Sequence, residues 1–470
     1  MPEPSWISIL PPVLAIVLAI ATRQVYLSLA GGLVLGWTIL HGWNPFAGTA
    51  AGIQGAVAVF QDEGDTRAIL FTLVIGSLIA TVEASGGVRG FVDLLERTRW
   101  VTSAKRAQLL AWITGVVIFI ESNITVLVAG SVARPLCDRY KCSREKLAYI
   151  IDSTSAPICI LIPMNAWGAY NLGIREGLGV ENALTVFLEA VLLNFYAIAA
   201  VLLVLAVILW GIDIGPMKKA EARTRGGQLL WPGATPMIDE EVLSPPPNDR
   251  IPPRALNMFA PIAAMVLFMP VGLYITGDGN LLEGSGSTSV LWSVLVGLGT
   301  AWVLLLVQKA FTQDELVKVG LKGAGGLVPL ALILLLAIAL GNVTQELGTG
   351  EYVAQVTSGV LPPFLFLPLV FAVAAAIAFS TGTSWGTFAI MLPIAVPAAA
   401  TLGLPIAPFV AASLSGGVFG DHCSPISDTT IISSMAAATD HIDHVRTQLP
   451  YALVGGGIAT VCFAILGTFL

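Results

Sequence analysis

Asp421 and Asp428 stand seven residues apart with His422, in a stretch otherwise free of Asp, Glu, Lys and Arg from Tyr352 to Ala438. A charge in hydrocarbon costs about 3 kcal/mol or more, so such residues are functional candidates by default. Pro425 lies between the two aspartates and argues for an interrupted helix rather than one shared face. Asp152 takes a comparable position in the first half, within Asp152-Ser153-Thr154-Ser155-Ala156-Pro157, and Glu121 sits at a polar interruption further upstream. Burial raises a carboxyl pKa and a bound cation lowers it. One carboxylate can therefore take either H⁺ or Na⁺, which is the minimum chemistry of cation/proton exchange.

Neutral oxygens accompany these carboxylates in two matching places. Ser122-Asn123-Ile124-Thr125 precedes Pro135 by ten residues counted from Thr125, and Ser380-Thr381-Gly382-Thr383 precedes Pro393 by ten counted from Thr383. Downstream, the Asp152 to Pro157 run parallels Gly420-Asp421-His422-Cys423-Ser424-Pro425. A broken helix frees carbonyls and half-helix termini near the midplane; carbonyl, Ser, Thr and Asn oxygens suit Na⁺, while a positive dipole end favours an anion. Ser, Thr and Gly also serve as packing glue between membrane helices. The recurrence of both tips and both prolines in register favours a site over glue.

The elements that must position these groups are membrane helices. Of 470 residues, 56% are hydrophobic and 11% charged, beyond what a soluble core uses. Apolar runs long enough to cross about 30 Å recur along the chain, without the alternation of an outer-membrane barrel. No basic patch interleaved with aromatics points to nucleic acid. Cys137, Cys142, Cys159, Cys423 and Cys462 lack metal-ligand spacing, and reduced thiols are expected. The N-terminus lacks a basic leader, so Ile7 to Ala21 reads as a first span rather than a removed signal.

Lys and Arg gather after the third span, between Arg134 and Lys146, in a linker over 213–255 and at 309–322. Only Arg67 and Arg175 fall on the other side, with Asp62, Glu63, Asp65, Glu176, Glu181, Asp278, Glu283, Glu346 and Glu351. The positive-inside rule then puts the linker in the cytoplasm and the termini outside, in a bacterial or archaeal inner membrane. Residues 107–133 are apolar between basic flanks and too short for two crossings, which predicts a re-entrant hairpin with Glu121 to Thr125 at its tip. Residues 361–400 could by length be two crossings and are assigned a hairpin by analogy. The expected fold is an all-α polytopic membrane protein with about ten spans and two re-entrant hairpins. These fall in two inverted repeats: 1–212 with hairpin 107–133, and 256–470 with hairpin 361–400, joined by the linker 213–255.

Other polar groups receive blander readings. Glu83 and Glu189 are assigned to membrane interfaces, and His441, Asp443 and His444 to a solvent-facing cytoplasmic turn. Trp167-Gly168 and Trp385-Gly386 echo each other and read as packing rather than a cation–π cage.

The run Gly420-Asp421-His422-Cys423-Ser424-Pro425-Ile426-Ser427-Asp428-Thr429-Thr430 resembles the signature of NhaC-type Na⁺/H⁺ antiporters. Gly382-Thr383-Ser384-Trp385-Gly386-Thr387 resembles that family's second-repeat tip, and Arg134-Pro135-Leu136, Asp138 to Lys141, Ser143 to Tyr149 and Asp152-Ser153-Thr154 are similar as well. The likeness runs from about residue 67 onward. It implies membership of the wider ion-transporter superfamily, in which paired hairpin tips and broken helices bind Na⁺ and substrate, often in homodimers with a scaffold and a moving domain. Relatives so implied include exchangers of organic anions such as malate and lactate, and carriers of amino acids.

Three functions compete. In Na⁺/H⁺ exchange, Asp421 and Asp428 carry cation and proton, His422 relays protons, and Asp152 and Glu121 are further proton or cation carriers. Asn123, Thr125, Thr381, Thr383 and Asp428 are then the candidate Na⁺ ligands. Ser122, Ser155, Ser380, Ser424, Ser427 and Thr429 are additional cation or substrate contacts. In Na⁺-coupled movement of a small organic anion or zwitterion, the tips bind carboxylate through N–H and hydroxyl groups. The third, an intramembrane enzyme, rests on Gly382-Thr383-Ser384-Trp385-Gly386, a G-x-S-x-G run lying in an apolar helical stretch rather than on a strand-to-helix elbow. No catalytic residue and no cofactor is expected; Na⁺ is the coupling ion.

Overall fold

The computed structural model describes residues 5–22, 24–97, 101–119, 121–163, 165–180, 183–236, 252–280, 284–358 and 362–470. Glu181, Glu283, Leu361 and the linker portion 237–251 lie outside the described residues. Among the described residues the regular secondary structure is all helical, apart from one isolated bridge between Pro236 and Asp440.

The first helices are α1 (Leu10–Thr22), α2 (Val25–Leu40), α3 (Pro45–Ala58), α4 (Glu63–Ala84) and the short α5 (Gly87–Arg97). Asn44 caps α3 by accepting from Phe46 and Ala47, and Pro45 occupies its first position, the residue types that start helices. The path from α2 to α3 turns through 119°, a fold-back that the hydrophobic pattern did not predict.

The second half opens with α14 (Leu256–Thr276), α15 (Gly286–Val307), α16 (Gln313–Glu346) and α17 (Thr349–Ser358). Thr312 and Glu315 form a capping box at the start of α16, satisfying two of its free N–H groups. α16 crosses α4 so closely that a methyl on Gly323 would strike Gly76, and Ser77 donates to the Gly320 carbonyl at 2.8 Å. Such small-residue crossings are how membrane helices pack when lipid is as apolar as leucine. The outer faces of α14 and α15 expose Leu267, Val303 and Val307, a surface suited to lipid.

Each half then continues with a hairpin and an interrupted helix. The first hairpin is α6 (Ala104–Val117) and α7 (Ser122–Arg139); the second is α18 (Phe366–Thr381) and α19 (Ser384–Thr401). The first interrupted path runs through α8 (Arg144–Ser153), α9 (Ala156–Leu161) and α10 (Ala166–Gly177). The second runs through α20 (Ile406–Cys423), α21 (Asp428–Ala437) and then α22 (His441–Gly467). The first half ends with α11 (Ala183–Leu192) and α12 (Phe195–Trp210), and the linker helix α13 (Pro216–Arg225) follows.

Among the described residues six helices are individually long and apolar enough to cross a membrane, or up to nine if each bent pair counts as one span. The thirteen residues of α1 and the Ser, Gly, Asp and His content of α20 keep these two outside that set. The protein is a multi-pass helical membrane protein.

Candidate functional site

The second hairpin turns in two residues. Gly382 adopts φ +69°, and Thr383 caps α19 by accepting from Gly386. Glycine is required at this left-handed turn, and a side chain there would also run into the backbone of Ile426. The hairpin tip is thus seated on the break between α20 and α21. At that break Ser424 donates to the Phe379 carbonyl at 2.7 Å, Pro425 supplies no N–H, and Ser427 caps α21.

Asp421 ends α20 beneath this tip and is buried. Its Oδ2 accepts from Ser384 at 3.0 Å, while Oδ1 is buried without a hydrogen-bond partner. An unpartnered carboxylate oxygen at such depth is costly, and a cation or a proton would satisfy it. Asp428 begins α21, accepts from the N–H of Thr429 at 2.8 Å and is exposed, although protein surrounds it on most sides. Asp428 and Asp152 are the charges that bear on Asp421.

Asp152, near the end of α8, is the centre of a second polar cluster. Its carboxylate accepts from Gln448 at 2.6 Å, from Thr430 at 3.2 Å and from Ser433 at 3.2 Å. His422 Nε2 lies 3.6 Å from the same carboxylate and His444 Nε2 4.0 Å from it. His422 is held by the Tyr196 hydroxyl at 2.7 Å and Ser153 at 3.1 Å. Being adjacent in sequence, Asp421 and His422 point about 100° apart on one helix end and so bring the cation-competent oxygen and the Asp152 cluster side by side.

The first tip is bound differently. Thr125 donates back to the carbonyls of Ile118 and Glu121, closing the turn, and Ser122 donates to the Glu121 carboxylate at 3.3 Å. Asn123 Oδ1 is buried without a partner. The Phe119 carbonyl accepts from Asn165 at 2.9 Å, and Asn165 also donates to Cys159 O at 2.8 Å. Two residues on, Trp167 packs on Trp385 with ring centroids 4.4 Å apart, and Tyr170 donates to the Trp385 carbonyl at 3.0 Å. Residues 165–170 therefore touch both hairpin tips. The tryptophan pair is packing between tips, with each ring occupied by the other.

Of the remaining candidates, Ser155 donates to Asp152 O at 2.8 Å, Thr381 to Ile377 O at 2.9 Å, and Thr429 shares a 3.0 Å hydrogen bond with Ser427. Ser380, Thr383 and Glu121 are half-buried. Glu83 and Glu189 are exposed. One expectation is corrected: His444 does not face solvent but is fully buried against Asp152, and His441 is half-buried, donating to the Pro425 carbonyl at 2.6 Å. The turn sequence concealed this because α22 starts inside the protein, so its first turn faces the helix break. Asn165, Tyr196, Ser384, Ser433, Gln448 and His444 are the site contacts the sequence reading did not include.

A sequence profile described as the Na⁺/H⁺ antiporter family matches residues 158–468. The chain belongs to that family. The match takes in the second hairpin, the α20–α21 break and α22, and starts just after Asp152. An uncharacterized protein of Haemophilus influenzae is 34% identical over 98% of this chain and 90% of its own length. The arginine/ornithine antiporter ArcD of Halobacterium salinarum is 31% identical over 44% of this chain and 41% of its own. The YdaH transporter of Alcanivorax borkumensis shares the fold, with a TM-score of 0.59 at 13% identity, covering 90% of this chain and 89% of that one. The chain is thus a secondary transporter of the antiporter class and not an enzyme; Ser384, the serine of the G-x-S-x-G run, is a hydrogen-bond donor to Asp421.

Proposed function

We propose that the protein exchanges Na⁺ for H⁺ across a cytoplasmic membrane by alternating access, with Asp421 as the residue for which the two ions compete. The observation that carries this reading is the buried Asp421 Oδ1 without a partner, beneath the second tip and at the open end of α20. Ser384 and Thr383 from the tip, Ser427 and Asp428 from the start of α21, and carbonyls freed at the break are the oxygens at hand for Na⁺. Hard, flexible oxygen ligands suit such an ion, and discontinuous helices are where transporters hold it. With Na⁺ bound, the carboxylate is charged and paired; with a proton bound, it is neutral, and either state can move through a low-dielectric interior. Asn123 and Thr125 from the first tip join this shell when the halves close on it. Asp152, with His422 and His444, supplies a proton store next to the cation oxygen rather than a second cation cage.

The test uses inverted vesicles with an imposed Na⁺ gradient and a pH dye. The Asp421→Asn variant should abolish Na⁺-driven pH change while the protein still inserts; retained full activity would remove Asp421 from the mechanism.

A second reading, antiport of an amino acid or other small zwitterion, is favoured by the arginine/ornithine antiporter relative. It also fits Arg175, a fully buried guanidinium stacked 4.5 Å over the Phe187 ring on the helix that touches both tips. Uptake of labelled arginine, lactate and malate, with and without a Na⁺ gradient, separates the two.

A further inference from the structure

Where α21 meets α22, Ser434 and His441, which the exchange reading above leaves unused, stand beside His444. His441 Nδ1 lies 3.0 Å from Ser434 Oγ, and His444 Nδ1 lies 2.9 Å from the same oxygen. The proton positions follow from the outer partners. His441 Nε2 is 2.6 Å from the Pro425 carbonyl, which only accepts, so that nitrogen carries a hydrogen. The Gln448 amide nitrogen donates to Asp152 at 2.6 Å and to the His422 carbonyl at 2.8 Å, both acceptors. Its oxygen therefore faces His444 Nε2, at 2.8 Å, and this nitrogen too carries a hydrogen.

Two neutral rings would then point two bare Nδ1 lone pairs at one hydroxyl. Ser434 has a single hydrogen, and the Thr430 carbonyl at 2.8 Å competes for it. The arrangement is satisfied once one extra proton is present. The ring that holds it donates from Nδ1 to Ser434 Oγ, and Ser434 donates to the other ring.

We propose that His441, Ser434 and His444 form a one-proton bridge that carries protons between the linker face of the protein and Asp152. His441 is half-buried on the turn where the linker attaches, with Thr235 donating to Asp440 at 3.0 Å, whereas His444 is fully buried. Transfer inward moves the His441 Nδ1 proton to Ser434 Oγ and the Ser434 proton to His444 Nδ1. Delivery to Asp152 Oδ2, 4.0 Å from His444 Nε2, then requires the ring to turn its Nε2–H away from Gln448 Oε1; the proton passes to the carboxylate and His444 keeps a hydrogen on Nδ1 alone. Each step breaks one N–H or O–H bond and forms one, and the hydroxyl ends reversed. The titratable groups facing His444 are Asp152 from α8, His422 from α20 and His441 of its own helix; Asp440 and Asp443 flank His441.

This inference rests on H⁺ being one of the exchanged ions. Proteoliposomes of the full chain are assayed two ways: Na⁺-driven proton movement across pH, and labelled-sodium/sodium exchange at equal pH on both sides. Ser434→Ala and His441→Gln should slow proton movement by about 10-fold or more while sodium/sodium exchange stays within about twofold, since no proton need move. Ser434→Thr, which keeps the hydroxyl, should restore the wild-type pH profile. His444→Gln, fully buried and at greater risk of misfolding, serves only as a third variant. The bridge is refuted if Ser434→Ala and His441→Gln keep the wild-type rate and pH profile, if both exchange modes fall together, or if Thr behaves like Ala at position 434. A wild type that exchanges sodium but moves no proton sinks the parent reading and the bridge together; a wild type that moves protons while the variants are indifferent sinks the bridge alone.

Discussion

Gly382 and Gly403 make a matched pair for asking what a single residue does at the site. Both have positive φ, +69° and +67°, but only Gly382 is pressed against another backbone, that of Ile426. Alanine at either position costs about 1–2 kcal/mol of left-handed strain. At Gly382 it should also lift the tip off the α20–α21 break and abolish transport, whereas Gly403→Ala should transport normally. Thermal unfolding in detergent beside vesicle flux checks this, and equal flux loss in both would show that the close approach is irrelevant. Asn165 offers a second test, since its one amide donates to both Phe119 O and Cys159 O. Asn165→Ala should destabilise by about 1–3 kcal/mol, read as a lower unfolding temperature. Asp152, Asp421 and His422 were legible from sequence because a charge inside an apolar run announces itself. His444 was read as part of a solvated turn, and Asn165 and Gln448 drew no reading, because a polar residue gives no sign of burial until its partners on other helices are known.

Helix α8 is held at its N-terminus by the linker. Glu145 receives a two-pronged pair from Arg223 at 2.7 and 2.9 Å, Lys146 pairs with Asp213 at 2.7 Å, and Ser143 donates twice to Glu221. Glu145 and Arg223 are both buried, so Arg223→Ala leaves a buried charge uncompensated and should destabilise by about 3–5 kcal/mol. Glu145→Gln in that background should recover most of the loss in an unfolding assay; no recovery would mean that the pair is not the cause. The same linker reaches α22 through Thr235 and Asp440. Burial alone would raise the Asp440 pKa, but donors from Thr235, Ile442 and Asp443 outweigh it and hold the carboxyl below its usual range. A lowered folded pKa contributes stability above the unfolded value of about 3.9 and loses it as pH falls through the folded value. A nitroxide at position 234 should stay immobile from about pH 7 to 5 and loosen only below about pH 4; loosening near neutrality would exclude Asp440 as the anchor. At this scale the proline-punctuated polar runs did foretell the helix breaks and tips, since Pro and a Gly at positive φ leave few alternatives. At the fold-back of α2 into α3, Gly42 at φ +65° and the Asn44-Pro45 start mark the turn, but the Ala- and Gly-rich α3 has no apolar stripe to show that the chain returns as a packed helix.

For the molecule as a whole, membrane class and helical architecture followed from composition and pattern, because only helices and closed barrels satisfy every backbone group in hydrocarbon and the alternation of a barrel is absent. How the hairpins close on one another did not, since it depends on pairs such as Trp167 with Trp385 that lie far apart in the chain. The central claim is that Na⁺ and H⁺ compete for one carboxylate where tip and break meet. Calorimetric titration of Na⁺ into the purified protein, repeated in buffers of different ionisation heat, measures this directly. The account predicts proton release on Na⁺ binding that disappears in Asp421→Asn. Sodium binding with no proton released from the wild-type protein, or release undiminished in that variant, would contradict it.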